Sequence, residues 1–127
     1  MLVHAALRAI GPIVGGADVV VTALRDVVGQ AGTILGYTDW QSEDEILDDP
    51  SVRNDIPAFD PLTSRATRDN GFFPEMLRTT PGAVRSRNPG ASMAALGGRA
   101  DWFIADHAMD YGYGPQSPLG KLDEIGR

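Results

Sequence analysis

Apolar and polar positions along this chain fall into short blocks whose spacing predicts alternating strands and helices. Leu2-Val3 is apolar from the second residue, without a polar lead-in, and reads as the tail of a buried strand. His4–Arg8 leaves that strand, and Gly11-Pro12 and Gly15-Gly16 punctuate the loop that follows. A helix is expected from Ala17 to Val28, with Val20, Leu24, Val27 and Val28 on one face and Asp18, Thr22, Arg25 and Asp26 on the other. Asp18 suits the first turn of that helix, and Gly29 stops it. Gly32–Tyr37 is a short β-branched and apolar run, read as a second buried strand. Strand, helix and strand at this spacing predict a parallel right-handed unit.

The pattern then dissolves. Thr38–Ser64 is polar and carries Asp39, Glu43, Asp44, Glu45, Asp48, Asp49 and Asp55, with prolines at 50, 57 and 61. It is expected to be a functional loop or a disordered one. Periodicity returns at Asn70, read as the cap of a helix through Phe72, Phe73, Met76 and Leu77 that ends before Pro81. Ala83–Arg87 and Ser92–Leu96 read as short strands around an Asn88-Pro89-Gly90 turn. Gly97-Gly98 leads into a helix with Ala100, Phe103, Ile104 and His107 on one face. After an Asp110-Tyr111-Gly112-Tyr113-Gly114 run, Ser117-Pro118 starts a final helix to Ile125, with Leu119, Leu122 and Ile125 inward.

Composition narrows the class. A length of 127 residues is enough for one domain and hardly two. The formal charge is −6, which argues against nucleic acid and permits a cationic partner. There is no cysteine, so disulfides, thiolate metal sites and a cysteine nucleophile are excluded; a reducing cytoplasm fits. Neither a signal peptide nor a membrane span is legible, and the two histidines lie too far apart for a spaced metal pair.

The residues leave several roles open. The acidic stretch, with Tyr37 and Trp40 at its start, suits a polyamine through charge-assisted hydrogen bonds and a flat aromatic face, or is a solvated loop. His4 contacts a ligand or holds its own loop. His107, read at a helix C-terminus, serves the helix dipole or a cap. Arg85-Ser86-Arg87 meets a phosphate-bearing cofactor or pairs with the acidic excess. The Ser117 helix start is an anion site or an ordinary cap.

Ordered blocks across nearly the whole chain resemble the aminoglycoside 3-N-acetyltransferases of the antibiotic N-acetyltransferase family. They are Val3-His4-Ala5-Ala6-Leu7-Arg8-Ala9-Ile10-Gly11, Gly15-Gly16-Ala17-Asp18 into Val20 and Ala23-Leu24, Gly32-Thr33 with Tyr37 and Trp40, Phe59-Asp60-Pro61, Arg85-Ser86 with Asn88-Pro89 and Ser92-Met93, and His107–Gly114 with Ser117-Pro118-Leu119. The resemblance implies an α/β fold, a mixed sheet flanked by helices and unlike the Gcn5-related acetyltransferases. It implies acetyl transfer from acetyl-CoA, the co-substrate, to the 3-amino group of a deoxystreptamine antibiotic, with no metal. His4, Ala5, Ala6, Leu7, Arg8, Ser86 and Ser117 would lie along coenzyme A. Tyr37, Asp39, Trp40 and Asp110 would face the cationic aminoglycoside.

The chain departs from the family pattern at Ala6, where a serine is common in V-H-x-S, and at Asn88, where many members carry histidine. The resemblance covers the family's amino-terminal half, without its first helix. The expectation is therefore a single partial domain over residues 1–127, with the family's catalytic histidine beyond Arg127. The residues alone leave two alternatives: a non-catalytic acidic module that captures a cation, and a partial reading frame. Oligomeric state is not legible.

Overall fold

A computed structural model describes residues 1–126, apart from the side chain of Asp44. The helices are α1 (Leu7–Ile10), α2 (Asp18–Val28), α3 (Gln41–Asp48), α4 (Phe73–Thr79), α5 (Ala100–Ile104) and α6 (Pro118–Gly126). The strands are β1 (Thr33–Tyr37), β2 (Val84–Arg85) and β3 (Met93–Gly97), in the sheet order β1-β3-β2. Both strand pairings are antiparallel, with Thr33 opposite Gly97 and Tyr37 opposite Met93. On the other side of β1, Leu2 forms a parallel bridge with Leu35. The sheet is therefore mixed, as the resemblance implied.

Burial of β1 and β3 from Thr33 to Gly36 and from Met93 to Leu96 explains why neither strand alternates apolar with polar: helices cover both faces. Ile34, Ala94 and Leu96 pack with Val21, Phe73 and Leu77 on one side. Leu35, Met93 and Ala95 pack with Ala100 and Phe103 on the other, joined by Leu119 and Leu122.

Several expectations are corrected. Part of the His4–Arg8 turn and the residues beyond it close into the short helix α1. Val27 is 79% exposed, and Val21 is buried in its place. The buried face of α2 centres between Leu24 and Val28, so at 100° per residue Val27 points about 80° away. The acidic stretch is not structureless: it holds α3 and a 3₁₀ turn at Pro50–Asn54, capped by Asp49, whose Oδ1 accepts from the Ser51 N–H at 3.0 Å and the Ser51 hydroxyl at 2.6 Å. Asn70 does not cap α4. It closes a 3₁₀ turn capped by Thr67, and Gly71 at φ 80° separates that turn from α4.

The predicted strand at 83–87 shortens to Val84–Arg85. Helix α5 stops at Ile104, which leaves His107 beyond it. In α6 Ile125 is exposed and Lys121 is buried. Lys121 Nζ donates to the carbonyls of Trp102 (2.9 Å), Phe103 (3.4 Å) and Ala105, closing the end of α5 where carbonyls lack helical partners. A long cationic side chain on an otherwise apolar face is therefore a clamp between helices.

The segment after the acidic stretch is tied to α4 through Glu75. Its carboxylate accepts from Arg78 Nε (3.0 Å), Arg78 Nη2 (2.5 Å) and the Ala66 N–H (2.9 Å). Burial works to raise this carboxyl, but these hydrogen bonds and the charges of Arg78 and Arg65 outweigh it and hold it below the ordinary range. Its stabilisation is complete above the unfolded value of about 4.3 and is lost as pH falls through the lower folded value. The stability difference between the parent and Glu75→Gln is expected to shrink as pH falls below roughly 5 in denaturant titrations. A difference that does not change with pH would exclude the paired carboxylate.

Candidate functional site

The parallel bridge between Leu2 and Leu35 decides where the site forms. Two residues further along each segment, the chain reaches His4 and Tyr37 at the same end of the sheet. Both line a cleft of about 310 Å³ with Asp39, Asn70, Tyr113 and Leu119. Loops at the C-terminal ends of parallel segments are where α/β sheets commonly receive ligands. The cleft thus combines a carboxylate, an imidazole, an amide and two phenol rings beside an apolar floor.

Asp39 is held unusually firmly. Its φ of 32° is a left-handed conformation rare for a residue with a Cβ. The Thr38 and Asp39 N–H groups both donate to the Ser92 carbonyl, at 2.9 and 3.1 Å. Asn70 Nδ2 donates to Asp39 Oδ2 at 2.9 Å. Arg85 Nη2 donates to the Asp39 carbonyl at 2.7 Å.

The last contact corrects the reading of the basic island. Arg85 is only 4% exposed and neither pairs with surface acids nor reaches outward to a phosphate. Its Nε donates to Thr38 Oγ1 (3.1 Å) and Ser92 Oγ (3.0 Å), and its Nη1 to the Ser64 carbonyl. Its guanidinium carbon lies 4.8 Å from the centre of the Phe59 ring. Burial lowers its pKa to about 10, which leaves it charged at neutral pH.

A second network shapes the opposite wall. His107 is buried, and its Nε2–H donates to the Gly112 carbonyl at 2.8 Å. In the neutral ring Nδ1 then accepts from the Ser86 hydroxyl at 2.9 Å. Ser86 Oγ also accepts from the Met93 N–H at 3.0 Å. Asn88 Nδ2 donates to the carbonyls of Ala108 (2.7 Å) and Tyr111 (3.1 Å), while its Oδ1 accepts from the Ala91 N–H (3.0 Å). His107 is therefore neither a helix cap nor a free base. With Ser86 and Asn88 it folds the loop that presents Tyr113. Burial, reinforced by the charge of Asp39, raises the Tyr113 phenol above its ordinary value, so it stays protonated and can donate.

Ser117 is the cap predicted from sequence. Its Oγ accepts from the Gly120 N–H at 3.0 Å and donates to the Gly114 carbonyl at 2.7 Å, and the residue is fully buried. The cleft so gathers His4, Tyr37 and Asp39 from the candidates, and Leu119 lines it two residues after Ser117. Around it, Ala6 and Arg8 are exposed, Ala5 and Leu7 are half-buried, and Leu7 packs on the core. Asp110 is exposed. Trp40 meets Phe59 edge-on at 5.8 Å. Ser86 keeps its hydroxyl inside the fold. Sequence reasoning missed Asn70 as a wall of the cleft, because its helix-cap signal is equally a side-chain hydrogen-bond signal. Among the described residues, no group of three His, Asp or Glu side chains is arranged to hold a metal, and no helix is long and apolar enough to cross a membrane.

A family model described as aminoglycoside 3-N-acetyltransferase matches residues 2–126. The chain belongs to the aminoglycoside 3-N-acetyltransferase family. Aminoglycoside N(3)-acetyltransferase III of Pseudomonas aeruginosa is 42% identical over 131 residues, covering 98% of this chain and 48% of that protein. The structure of AAC-IIIb, solved as a binary with CoASH, is 53% identical with a TM-score of 0.88, over 98% of this chain and 48% of that one. The structure of AAC-VIa bound to sisomicin is 37% identical with a TM-score of 0.86, over 95% of this chain and 47% of that one. The chain spans about half the length of the curated aminoglycoside acetyltransferases it matches. In this family member the cleft is built by residues drawn from both ends of the chain, His4 at one and Leu119 at the other.

Proposed function

We propose that residues 1–127 form the coenzyme A-facing and drug-facing part of an aminoglycoside 3-N-acetyltransferase, a single partial domain that acts in the cytoplasm. The whole protein moves an acetyl group from acetyl-CoA to the 3-amino group of a deoxystreptamine antibiotic and so confers resistance. The observation that carries this reading is the cleft that joins the His4 turn to Asp39, Tyr37 and Tyr113. The CoASH and sisomicin complexes of its relatives support it.

The cleft's chemistry suits a polycation. Asp39 accepts charge-assisted hydrogen bonds from ammonium groups, and the Tyr37 and Tyr113 rings offer flat faces with hydroxyls for sugar rings. Trp40, next in the chain after Asp39, adds a flat aromatic face, and Glu43, Glu45 and Asp48 of α3 add negative charge a few residues further on. The His4–Arg8 turn and the Ser117 helix start lie along coenzyme A, Ser86 and Ser117 acting from inside the fold by shaping the backbone. In the reaction the substrate amine gives up a proton and its lone pair attacks the thioester carbonyl. A C–N bond forms, the C–S bond breaks, and the thiolate leaves and takes a proton. Neither His4 nor His107 corresponds to the family's base, and both ring nitrogens of His107 are engaged.

A thiol-release assay with acetyl-CoA and gentamicin tests the reading. It compares the 127-residue chain with a protein in which the chain is completed by the part of AAC-IIIb that it does not cover. The completed protein is expected to release coenzyme A in proportion to drug acetylated, and the chain alone is not. A folded completed protein that releases no thiol overturns the proposal. In the completed protein, Asp39→Ala with Trp40→Ala is expected to weaken gentamicin binding by roughly tenfold or more, the scale of one charge-assisted hydrogen bond, while coenzyme A binding stays within about twofold. Equal losses in calorimetric titrations refute the assignment of these two residues to the drug.

A further inference from the structure

We infer that Arg85 is a positioning residue whose guanidinium fixes Asp39 in the left-handed backbone conformation that sets its carboxylate on the wall of the cleft. The inference rests on the drug-side reading of that cleft and extends it to a residue that does not line it. The acceptors that Arg85 reaches are Thr38 Oγ1, Ser92 Oγ and the carbonyls of Ser64 and Asp39. All of them are neutral. They lie at the end of β1, before β3, and in the segment leading to Ala66. The charges of Glu75 and Asp39 act on the guanidinium but do not outweigh its burial. With only neutral hydrogen-bond acceptors it is a poor source of stability, because an apolar side chain of similar volume commonly serves as well. What only the guanidinium supplies is a rigid planar fork of donors that ties three chain segments into one geometry.

The beneficiary of that geometry is visible. Asp39 takes a φ of 32° without being glycine, and such an outlier persists only where the surroundings over-determine it. The Ser92 carbonyl holds its N–H, Arg85 holds its carbonyl, and Asn70 holds Oδ2. Relaxing φ to negative values would swing the Cα–Cβ bond and carry the carboxylate away from Tyr37, Tyr113 and His4. Arg85 therefore acts on the ligand through Asp39.

The test is a double-mutant cycle in the completed protein described above, with crystallography beside it. Lysine keeps the charge of Arg85 but not the fork. Arg85→Lys is expected to raise the gentamicin KM by roughly tenfold, leave the acetyl-CoA KM within about twofold, and move Asp39 to negative φ in the crystal structure. In an Asp39→Asn background the same substitution is expected to change the gentamicin KM by less than about twofold, because the carboxylate it positions is gone. Arg85→Gln, which lacks the buried charge, serves the same cycle if the lysine variant does not fold. Equal rises in both KM values, an undiminished effect in the Asp39→Asn background, or an Asp39 φ that stays positive would each overturn the inference. If Asp39→Asn alone leaves the gentamicin KM unchanged, the drug-side assignment of the cleft fails instead. The φ of Asp39 in the Arg85→Lys crystal structure then decides the positioning role by itself.

Discussion

Phe73→Ala is expected to cost this fold about 3–5 kcal/mol, the range for removing a fully buried aromatic ring. Phe73 is completely buried at the start of α4 and packs into the cluster of Ile34, Leu77, Ala94 and Leu96. The strand beneath was shaped for it. A Cβ at Gly36 would stand 3.0 Å from Leu77 Cδ2 and 3.8 Å from Phe73 Cε1, so these side chains occupy the room that a side chain at position 36 would take. Alanine at 73 leaves a cavity whose walls, β1 and β3, are pinned by their own ladder and cannot close it. A loss of this size consumes a large share of the roughly 5–15 kcal/mol that holds an ordinary domain together. Denaturant unfolding of parent and variant measures it, and a loss below about 1 kcal/mol would show that α4 does not pack as described.

Gly120→Ala sets two effects against each other. Alanine inside a helix is worth about 1 kcal/mol more than glycine, so a free helix α6 would be stabilised. In this fold a Cβ on Gly120 would stand 2.0 Å from the Gly114 carbonyl oxygen and 3.0 Å from the Pro115 Cα. Both are backbone atoms and cannot rotate aside. The 114–117 turn would have to lift, taking with it the hydrogen bonds that join Ser117 Oγ to the Gly114 carbonyl and the Gly120 N–H. Overpacking of roughly 1–3 kcal/mol plus the loss of a cap, roughly 0.5–2 kcal/mol, outweighs the propensity gain. The variant is expected to melt roughly 5–10 °C below the parent by circular dichroism and to bind gentamicin more weakly, since Tyr113 rides on the displaced loop. An unchanged or higher Tm would mean that α6 and the loop are not in contact.

The strands at 33–37 and 93–97, the helix at 18–28 and the Ser117 cap were legible because each is a local signal, set by a few neighbouring side chains. The acidic stretch was read as loop because its charges mask a helix with a single half-buried apolar residue, Ile46. Arg85 was read as meeting a phosphate or pairing with the acidic excess and Lys121 was given no role, since a cation in sequence gives no sign of the carbonyls that will surround it. Ser86 was placed along coenzyme A by the resemblance, Asn88 in a turn and His107 at a helix end, yet the polar atoms of all three are used within the fold to hold the 107–113 loop.

By itself the sequence determined the alternation of strands and helices, the family, and the candidates His4, Tyr37 and Asp39. The tertiary structure decided that these three share one cleft, because the pairing of Leu2 with Leu35 sets His4 level with Tyr37 across more than 30 intervening residues. It also decided which cations go inside. Burying a charge is favourable only where distant backbone groups converge on it, and that convergence exists only once the chain is folded.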